Sequence, residues 1–448
     1  MANTKIEQRY IDEHPESMSR YHTSKNLFPN GVTHDARRLS PFPMYVTHAK
    51  GSHKWDVEGN KIIDYKTGHG AMILGHSHPS IVKAVQDAVA EGTQMGCSTD
   101  KEIRWGQLVN ELVPCAEKVR FQSSGTEAVM MAMRLARAYT GKTKVIKFDD
   151  HFHGWSDYAT AGGSGLGGIP KETLETMIVL PPNDIGLVEK AIKETNDVAS
   201  VMIEPTGSHM GLHPIPTSFL HELRELTERT GTLFHMDEVV TGFRLSKGGA
   251  SRKFEVTPDI TTLAKILGGG LPGGAVAGKA DIINLIEFKD DASYNHNERV
   301  GHPGTFNANP ISAAAGTAAL ELVRDTDVNA KTEAAGGKLK AGLNELLGKM
   351  EIPGQVTGHG PLLFVRLGVD FDVEDDGATF ELTDSEWSKV NDGHRNSQLH
   401  LALINEGIDP MSNGTRLIIG QDHSDQDIEN TVSAYEKALS SVRESGLI

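Results

Sequence analysis

The stretch TTLAKILGGGLPGGAVAG, residues 261–278, places one lysine, Lys265, between an apolar run and a series of glycines. Lysine is among the residues that are least often fully buried, so an amine at the end of what reads as a buried strand needs an explanation. One explanation is a surface loop, although the apolar lead-in and the six glycines within the next thirteen residues would then be coincidental. The other explanation is a desolvated lysine that acts as a nucleophile.

Short β-branched runs alternate with helical patterns on both sides of this stretch, from about residue 70 to residue 325. The runs KVRFQ, KVIKF, ASVMIEP and TLFHMDEV are typical of buried strands, and the helix that precedes the last of them is expected to end at Gly231. This alternation predicts an α/β fold with a mainly parallel sheet that is covered by helices on both faces.

The remaining chain divides into two further segments. We expect residues 1–68 to form an N-terminal segment with a helix and a hairpin, residues 69–325 a large domain, and residues 326–448 a smaller α/β unit. The acidic run FDVEDDGATFELTDSEW, residues 371–387, interrupts that last unit and is interpreted as a surface excursion.

A strand, a tight turn and an amphipathic helix follow one another in RFQSSGTEAVMMAMRLARAYTG, residues 120–141. Ser124 and Glu127 have the spacing of a capping box, which needs no ligand. The same turn, Ser124-Gly125-Thr126, also suits a phosphate that is held by backbone N–H groups and the helix dipole. The dipole contributes only roughly 0.3–1 kcal/mol, so the hydroxyls of Ser124 and Thr126 would have to assist. The turn alone leaves both interpretations open.

Two acids, Asp237 and Glu238, come directly after the strand in TLFHMDEVVTGFR, residues 232–244. Ligands of open α/β sheets bind at the carboxyl ends of the strands, which favours a functional role for Asp237. A Mg²⁺ site is an alternative, although no further acidic or histidine ligands cluster nearby in the sequence.

A phosphate cradle, an acid and a desolvated lysine on neighbouring strand ends together describe a site for pyridoxal 5′-phosphate (PLP). In such a site Lys265 forms the Schiff base and Asp237 keeps the pyridine nitrogen protonated. The turn Ser124-Gly125-Thr126 binds the phosphate.

Seven short motifs extend this interpretation over nearly the whole chain. In chain order they are YKTGHGAMILGHSHP, SSGTEAVMMAMRLARAYTGKTKVIKF, HFHGW, IEPTGSHMG, DEVVTGFR, TPDITTLAKILGGGLPGG and GTFNANPISAAAG. With them the chain resembles the class III, fold type I PLP-dependent aminotransferases, particularly the branch of glutamate-1-semialdehyde aminomutase and D-phenylglycine aminotransferase. The resemblance implies a large domain with a mostly parallel seven-stranded sheet between helices. It also implies a small α/β domain, built from the N- and C-terminal segments, of which residues 1–68 cover the active site.

The resemblance assigns further residues to the cofactor. Phe152 is expected to stack on the PLP ring and Val239 to pack on its opposite face, although either side chain would also suit an ordinary core. His209 stands where the family often has Gln or Asn bonded to the phenolic oxygen. Thr305 matches a threonine that reaches the phosphate of the neighbouring subunit, which implies a homodimer with its active sites at the interface; a helix N-cap is compatible with that role.

The resemblance also suggests how the substrate is held. Arg37, or its neighbour Arg38, matches an arginine that grips the substrate carboxylate, although two adjacent arginines also suit a solvated loop. His69 is expected to line the same pocket, and no metal is implied.

The expected reaction is a ping-pong transamination from an α- or β-amino acid, possibly aromatic or D-configured, to a keto acid, with Lys265 as the base. The alternative is a PLP-dependent isomerase, either an aminomutase or an amino-acid racemase. A nicotinamide-dependent oxidoreductase is disfavoured because no strand is followed by G-x-G-x-x-G. A ligand-binding relative without activity is disfavoured by the presence of Lys265 and Asp237.

The chain has 44 basic and 60 acidic residues and a net charge of -16, which argues against nucleic acid and anionic membranes as partners. No run of about 18 apolar residues occurs, and the N-terminal residues do not resemble a targeting segment. We therefore expect a cytoplasmic enzyme that acts on small molecules. The two cysteines, Cys97 and Cys115, are interpreted as free thiols.

Overall fold

The computed structural model describes residues 3–370, 382–411 and 413–448. Most of the acidic run that was interpreted as a surface excursion, residues 371–381, lies outside these ranges. None of the helices in the described ranges has an apolar stretch long enough to cross a membrane.

Strands and helices alternate along the described chain. The strands are β1 (Val46–Lys50), β2 (His53–Asp56), β3 (Lys61–Asp64), β4 (Lys118–Gln122), β5 (Lys144–Phe148), β6 (Met177–Leu180), β7 (Val198–Ile203), β8 (Leu233–Asp237), β9 (Ile260–Ala264), β10 (Gly274–Gly278), β11 (Gly354–His359), β12 (Leu362–Leu367), β13 (Ile408–Asp409) and β14 (Arg416–Ile418). The α-helices are α1 (Lys5–Glu13), α2 (Pro15–Ser24), α3 (Thr67–Gly70), α4 (Pro79–Glu91), α5 (Asp100–Leu112), α6 (Gly125–Thr140), α7 (Lys171–Leu174), α8 (Ile185–Thr195), α9 (Ser208–Gly211), α10 (Thr217–Thr230), α11 (Gly249–Lys253), α12 (Ala280–Ile283), α13 (Ala292–Asn297), α14 (Pro310–Asp325), α15 (Val328–Lys349), α16 (Asp384–Val390), α17 (Gly393–Asn405) and α18 (Asp425–Glu444).

The chain forms two compact units. One holds the described residues up to His78 and those from Ala330 onwards. It contains a four-stranded sheet in the order β1-β2-β3-β13 and a three-stranded sheet in the order β11-β12-β14. The hairpin that the sequence predicted is present, because β2 and β3 pair antiparallel on either side of a turn at Gly59-Asn60. The core of this unit contains buried side chains from α1, α15, α17 and α18, together with Tyr65.

The other unit, Pro79–Asn329, is built on a seven-stranded sheet in the order β4-β10-β9-β8-β7-β5-β6. The neighbours β9, β8, β7, β5 and β6 pair in parallel. Every residue of β7 and β9 is buried, as expected for parallel strands that are covered on both faces. The expected α/β fold with a mostly parallel seven-stranded sheet is therefore confirmed.

Strand β10 runs against its neighbours, which the hydrophobic pattern alone does not predict. It pairs antiparallel with both β4 and β9, so the carboxyl ends of β4 and β9 lie at the same edge of the sheet. Gly274 begins β10 against the backbone of the turn after β4, where an added Cβ would lie 2.2 Å from the carbonyl oxygen of Ser124. A glycine is required there because no side chain fits between the two backbones.

Candidate active site

The residues that the sequence proposed for the cofactor follow different strands of the seven-stranded sheet. Ser124 comes after β4, Phe152 after β5, His209 after β7, Asp237 ends β8, and Lys265 comes directly after β9. These strands run in one direction, so their carboxyl ends meet at one edge, where ligands of such sheets bind. The topology thus brings together residues that are up to 141 positions apart in a chain of 448 residues.

Lys265 begins a single 3₁₀ turn, Lys265–Gly268, and its φ of 53° lies in the left-handed region. A non-glycine residue holds that conformation only where its surroundings fix it. Burial lowers the pKa of the Lys265 amine to about 8, although the charges of Asp237 and Glu204 oppose this shift. Roughly a fifth of this amine is therefore neutral at pH 7.4, far more than for an ordinary lysine, and the neutral form is the one that a nucleophile or proton acceptor requires.

Asp237 is buried, and both of its carboxylate oxygens are hydrogen-bonded. Its Oδ2 lies 2.7 Å from Nδ1 of His153, and its Oδ1 accepts from the Val239 backbone N–H and the Thr262 hydroxyl, each at 3.1 Å. Burial on its own would raise the pKa of Asp237, but the hydrogen bond and charge of His153, the charge of His235 and the Val239 backbone N–H together outweigh it and hold the pKa below its ordinary value. The carboxylate is consequently ionised at neutral pH.

Glu238 points to different partners from Asp237. Its carboxylate accepts hydrogen bonds from the Ser251 backbone N–H at 3.0 Å and from the Thr241 hydroxyl at 3.1 Å. The two carboxylates therefore do not point to one common position. A magnesium site built on this acid pair, the alternative that the sequence left open, would need them to do so.

The turn before α6 is open to a ligand at its N-terminal end. Ser124 caps the helix by accepting from the Glu127 backbone N–H at 3.2 Å, as predicted. The Glu127 carboxylate accepts from Ser123 at 2.7 Å instead of from Ser124, so the reciprocal half of the expected capping box is shifted by one residue. The first N–H groups of α6 have no acceptor within the helix, which suits an anion such as phosphate.

Gly125 and Thr126 lie close to the other strand ends. A Cβ added to Gly125 would lie 3.1 Å from Val239 and 3.4 Å from Ala264. A Cβ added to Gly154, in turn, would lie 2.5 Å from the Thr126 hydroxyl. The turn therefore packs directly against the segments that carry the other proposed residues.

Two rings on the segments after β5 and β7 face each other. Phe152 and His209 stack with their centroids 5.9 Å apart and an interplanar angle of 20°. Phe152 is 57% exposed, so the alternative of an ordinary core phenylalanine is wrong. Val239 is only partly buried. These side chains are accessible at the strand ends, as residues that contact a cofactor must be.

Thr305 is exposed in the loop before α14, and its carbonyl oxygen accepts a hydrogen bond from the side chain of Gln94. The cap of α14 is Asn309, which accepts from the Ser312 backbone N–H at 3.0 Å. The alternative role of Thr305 as a helix N-cap is therefore wrong, and its role across an interface stays a prediction.

Arg37 and His69 belong to the unit that holds both chain termini. Both line a cavity of about 520 Å³. Arg37 is exposed and donates to the Thr33 hydroxyl at 2.8 Å, and the ring of His69 stacks on that of His34 with centroids 5.1 Å apart. The cavity is lined by further charged side chains, namely Lys54, Lys66 and Asp409.

Sequence reasoning missed two residues of this site. His153, in the quoted motif HFHGW, binds Asp237, and Glu204, in IEPTGSHMG, lies among the loops that carry Phe152 and His209. Glu204 follows the wholly buried strand β7 in the same way that Asp237 ends β8, and that similarity was the available signal. For His153 the sequence carries no comparable signal, because the contact joins residues 84 positions apart.

The residues at the sheet edge fit PLP. They combine an amine with a lowered pKa, a buried ionised carboxylate and a helix N-terminus. His153 adds a buried Nε2 that has no hydrogen-bond partner within the described ranges. PLP carries an aldehyde, a basic ring nitrogen and a phosphate. The amine, the carboxylate and the helix N-terminus suit these three groups in that order.

Comparison with known proteins agrees with this geometry. Residues 35–384 match the family model for class-III aminotransferases. The chain is similar to the glutamate-1-semialdehyde 2,1-aminomutase of Desulfotalea psychrophila, with 40% identity over 357 residues that cover 76% of this chain and 80% of the relative.

Solved structures of the same type cover almost the whole chain. An omega-transaminase from Sphaerobacter thermophilus is 32% identical and has a TM-score of 0.85, with 95% of this chain and 98% of that chain covered. A transaminase with PLP bound is 27% identical and has a TM-score of 0.85, with 97% of this chain and 99% of that chain covered. This chain belongs to the class-III aminotransferase family of fold type I, and its cofactor is PLP.

Proposed function

We propose that the chain moves an amino group within a carboxylate-bearing substrate, between neighbouring carbons, as a 2,1-aminomutase of the glutamate-1-semialdehyde type. The observation that carries amino-group chemistry is the Lys265 amine, which has a pKa of about 8 and lies at a strand end next to the charge of Asp237. The similarity to the Desulfotalea psychrophila aminomutase, at 40% identity, favours the intramolecular reaction. This reaction was the alternative in the sequence analysis, where transamination came first.

Each residue of the sheet edge has a part in this proposal. PLP, when bound, supplies an aldehyde that condenses with amines and a ring that accepts an electron pair. Lys265 takes a proton from the substrate carbon and returns one. Asp237 holds a proton at the pyridine nitrogen, and His153 keeps that carboxylate ionised and oriented. Ser124, Gly125 and Thr126 bind the phosphate through the N-terminus of α6; Phe152, Val239 and His209 orient the ring.

The substrate carboxylate is assigned to the cavity that Arg37 and His69 line. Lys66 pairs with Asp409 at 2.9 Å, and Lys54 pairs with Asp64 at 2.9 Å and also contacts Asp409. Arg37 has no carboxylate partner within the described ranges, since its guanidinium is bound only to Thr33. It is therefore the lining cation that a substrate carboxylate can engage in a bidentate pair.

We also propose that two copies of the chain form a homodimer in which Thr305 of one subunit reaches the phosphate bound by the other. Thr305 is exposed, and the adjacent Phe306 is 59% exposed. Both residues are therefore at the surface of the chain, as a contact with a partner subunit requires.

Transamination is the second candidate, and the 32% identity to an omega-transaminase favours it. The test is to incubate the PLP-loaded protein with glutamate 1-semialdehyde in the absence of any keto acid, and to count products per active site. The aminomutase proposal expects many equivalents of the isomer with the amino group moved from carbon 2 to carbon 1. A single equivalent of deaminated product, with turnover restored by a keto acid, contradicts it and supports transamination.

A further inference from the structure

One buried carboxylate joins the two loops that carry the stacked rings of Phe152 and His209. Oε1 of Glu204 accepts from the Phe152 backbone N–H at 2.7 Å and from the His209 backbone N–H at 3.0 Å. Oε2 accepts from the Met210 backbone N–H at 3.3 Å. The Glu204 backbone N–H in turn donates to Nδ1 of His151 at 3.0 Å. The loops after β5 and β7 are thus tied together at two points.

The loop after β7 has an unfavourable backbone that this carboxylate stabilises. His209 and Met210 have φ values of 46° and 76°, both in the left-handed region. Such conformations are unfavourable for non-glycine residues and persist only when surrounding contacts hold them. Successive N–H groups in a turn form a concave site for an anion, and here the Glu204 carboxylate occupies it.

We propose that Glu204 is a positioning residue for the cofactor, whose carboxylate sets the orientation of Phe152 and His209 towards the PLP ring. The inference rests on the proposed roles of Phe152 and His209, and it does not depend on whether the reaction is an isomerisation or a transamination. Glu204 accepts hydrogen bonds from the backbone N–H groups of these residues, so it acts on the cofactor through them.

The surroundings of Glu204 leave its ionised and neutral forms comparably populated near neutral pH. Burial raises the pKa of Glu204 to about 7, although the N–H groups of Phe152, His209 and Met210 oppose this shift. The negative charge of Asp237 adds to the rise, whereas the cations Lys147 and Lys265 lie within electrostatic reach of the carboxylate. The carboxylate is ionised above neutral pH, where it binds the three N–H groups most strongly.

The experiment compares Glu204→Gln and Glu204→Asp with the wild type at pH 8. Glu204→Gln keeps the shape but lacks the charge, so we expect PLP to bind about tenfold more weakly and the circular dichroism of bound PLP to change. Glu204→Asp keeps the charge on a shorter side chain, and we expect a loss of about threefold. Both quantities report on cofactor placement and need no assay of turnover.

The matched control is Asp259→Asn. Asp259 is also buried and accepts a backbone N–H, that of Phe234 at 2.8 Å, but it lies before β9, at the opposite end of that strand from Lys265. This variant should lower the thermal stability of the PLP-free protein and leave PLP affinity within about twofold of wild type.

Unchanged affinity and dichroism in Glu204→Gln overturn the inference, as does an equal loss of affinity in Asp259→Asn. If Glu204→Gln fails to fold, Glu204→Asp decides, and wild-type affinity in that variant overturns the inference. A failure of the proposed function is seen separately, because it changes the products formed from the substrate and leaves these binding data as they are.

Discussion

Lys265 shows how far a single residue can be interpreted from sequence. The apolar run before it and the glycines after it predict a strand that ends at an amine, and β9 ends at Ala264, one residue earlier. Asp237 is likewise found at the end of β8, as predicted. The sequence does not show that His153 holds Asp237 ionised, because hydrogen bonding between distant loops leaves no periodic pattern. The chemical roles of Lys265 and Asp237 stay predictions.

The lowered pKa of Lys265 has a consequence for the stability of the PLP-free protein. Between pH 8 and about 10.5 the unfolded chain holds a proton on this lysine that the folded chain has lost, so stability from this group rises with pH across that window. Below pH 8 the folded chain must bury the charge. We expect Lys265→Met to be about 1–2 kcal/mol more stable than wild type at pH 7, after allowance for partial exposure. The advantage should shrink towards pH 10.

Denaturant unfolding of the two PLP-free proteins at several pH values measures this difference. Lys190→Met, which removes an exposed lysine on α8, is the control and should differ from wild type by the same amount at each pH. An advantage of Lys265→Met that stays constant from pH 7 to pH 10 would show that burial does not perturb this amine.

Individual elements were predicted well where the pattern is local. Helix α10 ends before Gly231 and α6 before Gly141, both with a left-handed φ, as the glycines predicted. The reversed direction of β10 was not predicted, since five small and apolar residues pair equally well in either direction. The direction of β10 matters to the site because it sets β4, and therefore the turn before α6, at the same edge as Lys265.

The turn before α6 has two proposed roles, as a helix cap and as a phosphate site, and two variants can separate them. Ser124→Ala removes a helix cap, and we expect a loss of about 1 kcal/mol in the free energy of unfolding. It also removes a hydroxyl from the proposed phosphate turn, so PLP affinity should fall about fivefold or more. Asp184→Ala removes the comparable cap of α8, which accepts from the Leu187 backbone N–H at 3.1 Å.

Unfolding and PLP titration of both variants measure the two effects. Asp184→Ala should lose similar stability and keep wild-type PLP affinity. Equal PLP affinity in Ser124→Ala and Asp184→Ala would mean that the turn is a helix cap alone.

The whole molecule is proposed to be a homodimer with shared active sites, and mixing two variants tests the sharing. Lys265→Ala and Thr305→Ala each damage every site of their own homodimer. In a mixed dimer, one site combines the intact Lys265 of one subunit with the intact Thr305 of the partner subunit. Equal mixing with free exchange of subunits should therefore restore about one quarter of wild-type activity.

Activity of the mixture is compared with the average of the two parent proteins after co-expression or refolding together. Size-exclusion chromatography of each sample checks that dimers of the 48.5 kDa chain are present. Activity no higher than the average of the parents, with dimers formed, would show that Thr305 serves the site of its own subunit or none.

The most direct test of Lys265 as the residue that binds PLP is borohydride reduction of the PLP-loaded protein, followed by peptide mass mapping. We expect a stable pyridoxyl group on Lys265 and on no other lysine. Lys147 is the informative comparison, because it is also buried and at the carboxyl half of β5, but its amine donates to the Ala159 carbonyl oxygen at 2.8 Å. Modification of Lys147, or an unmodified Lys265 after reduction, would contradict the assignment of Lys265 as the residue that binds the cofactor.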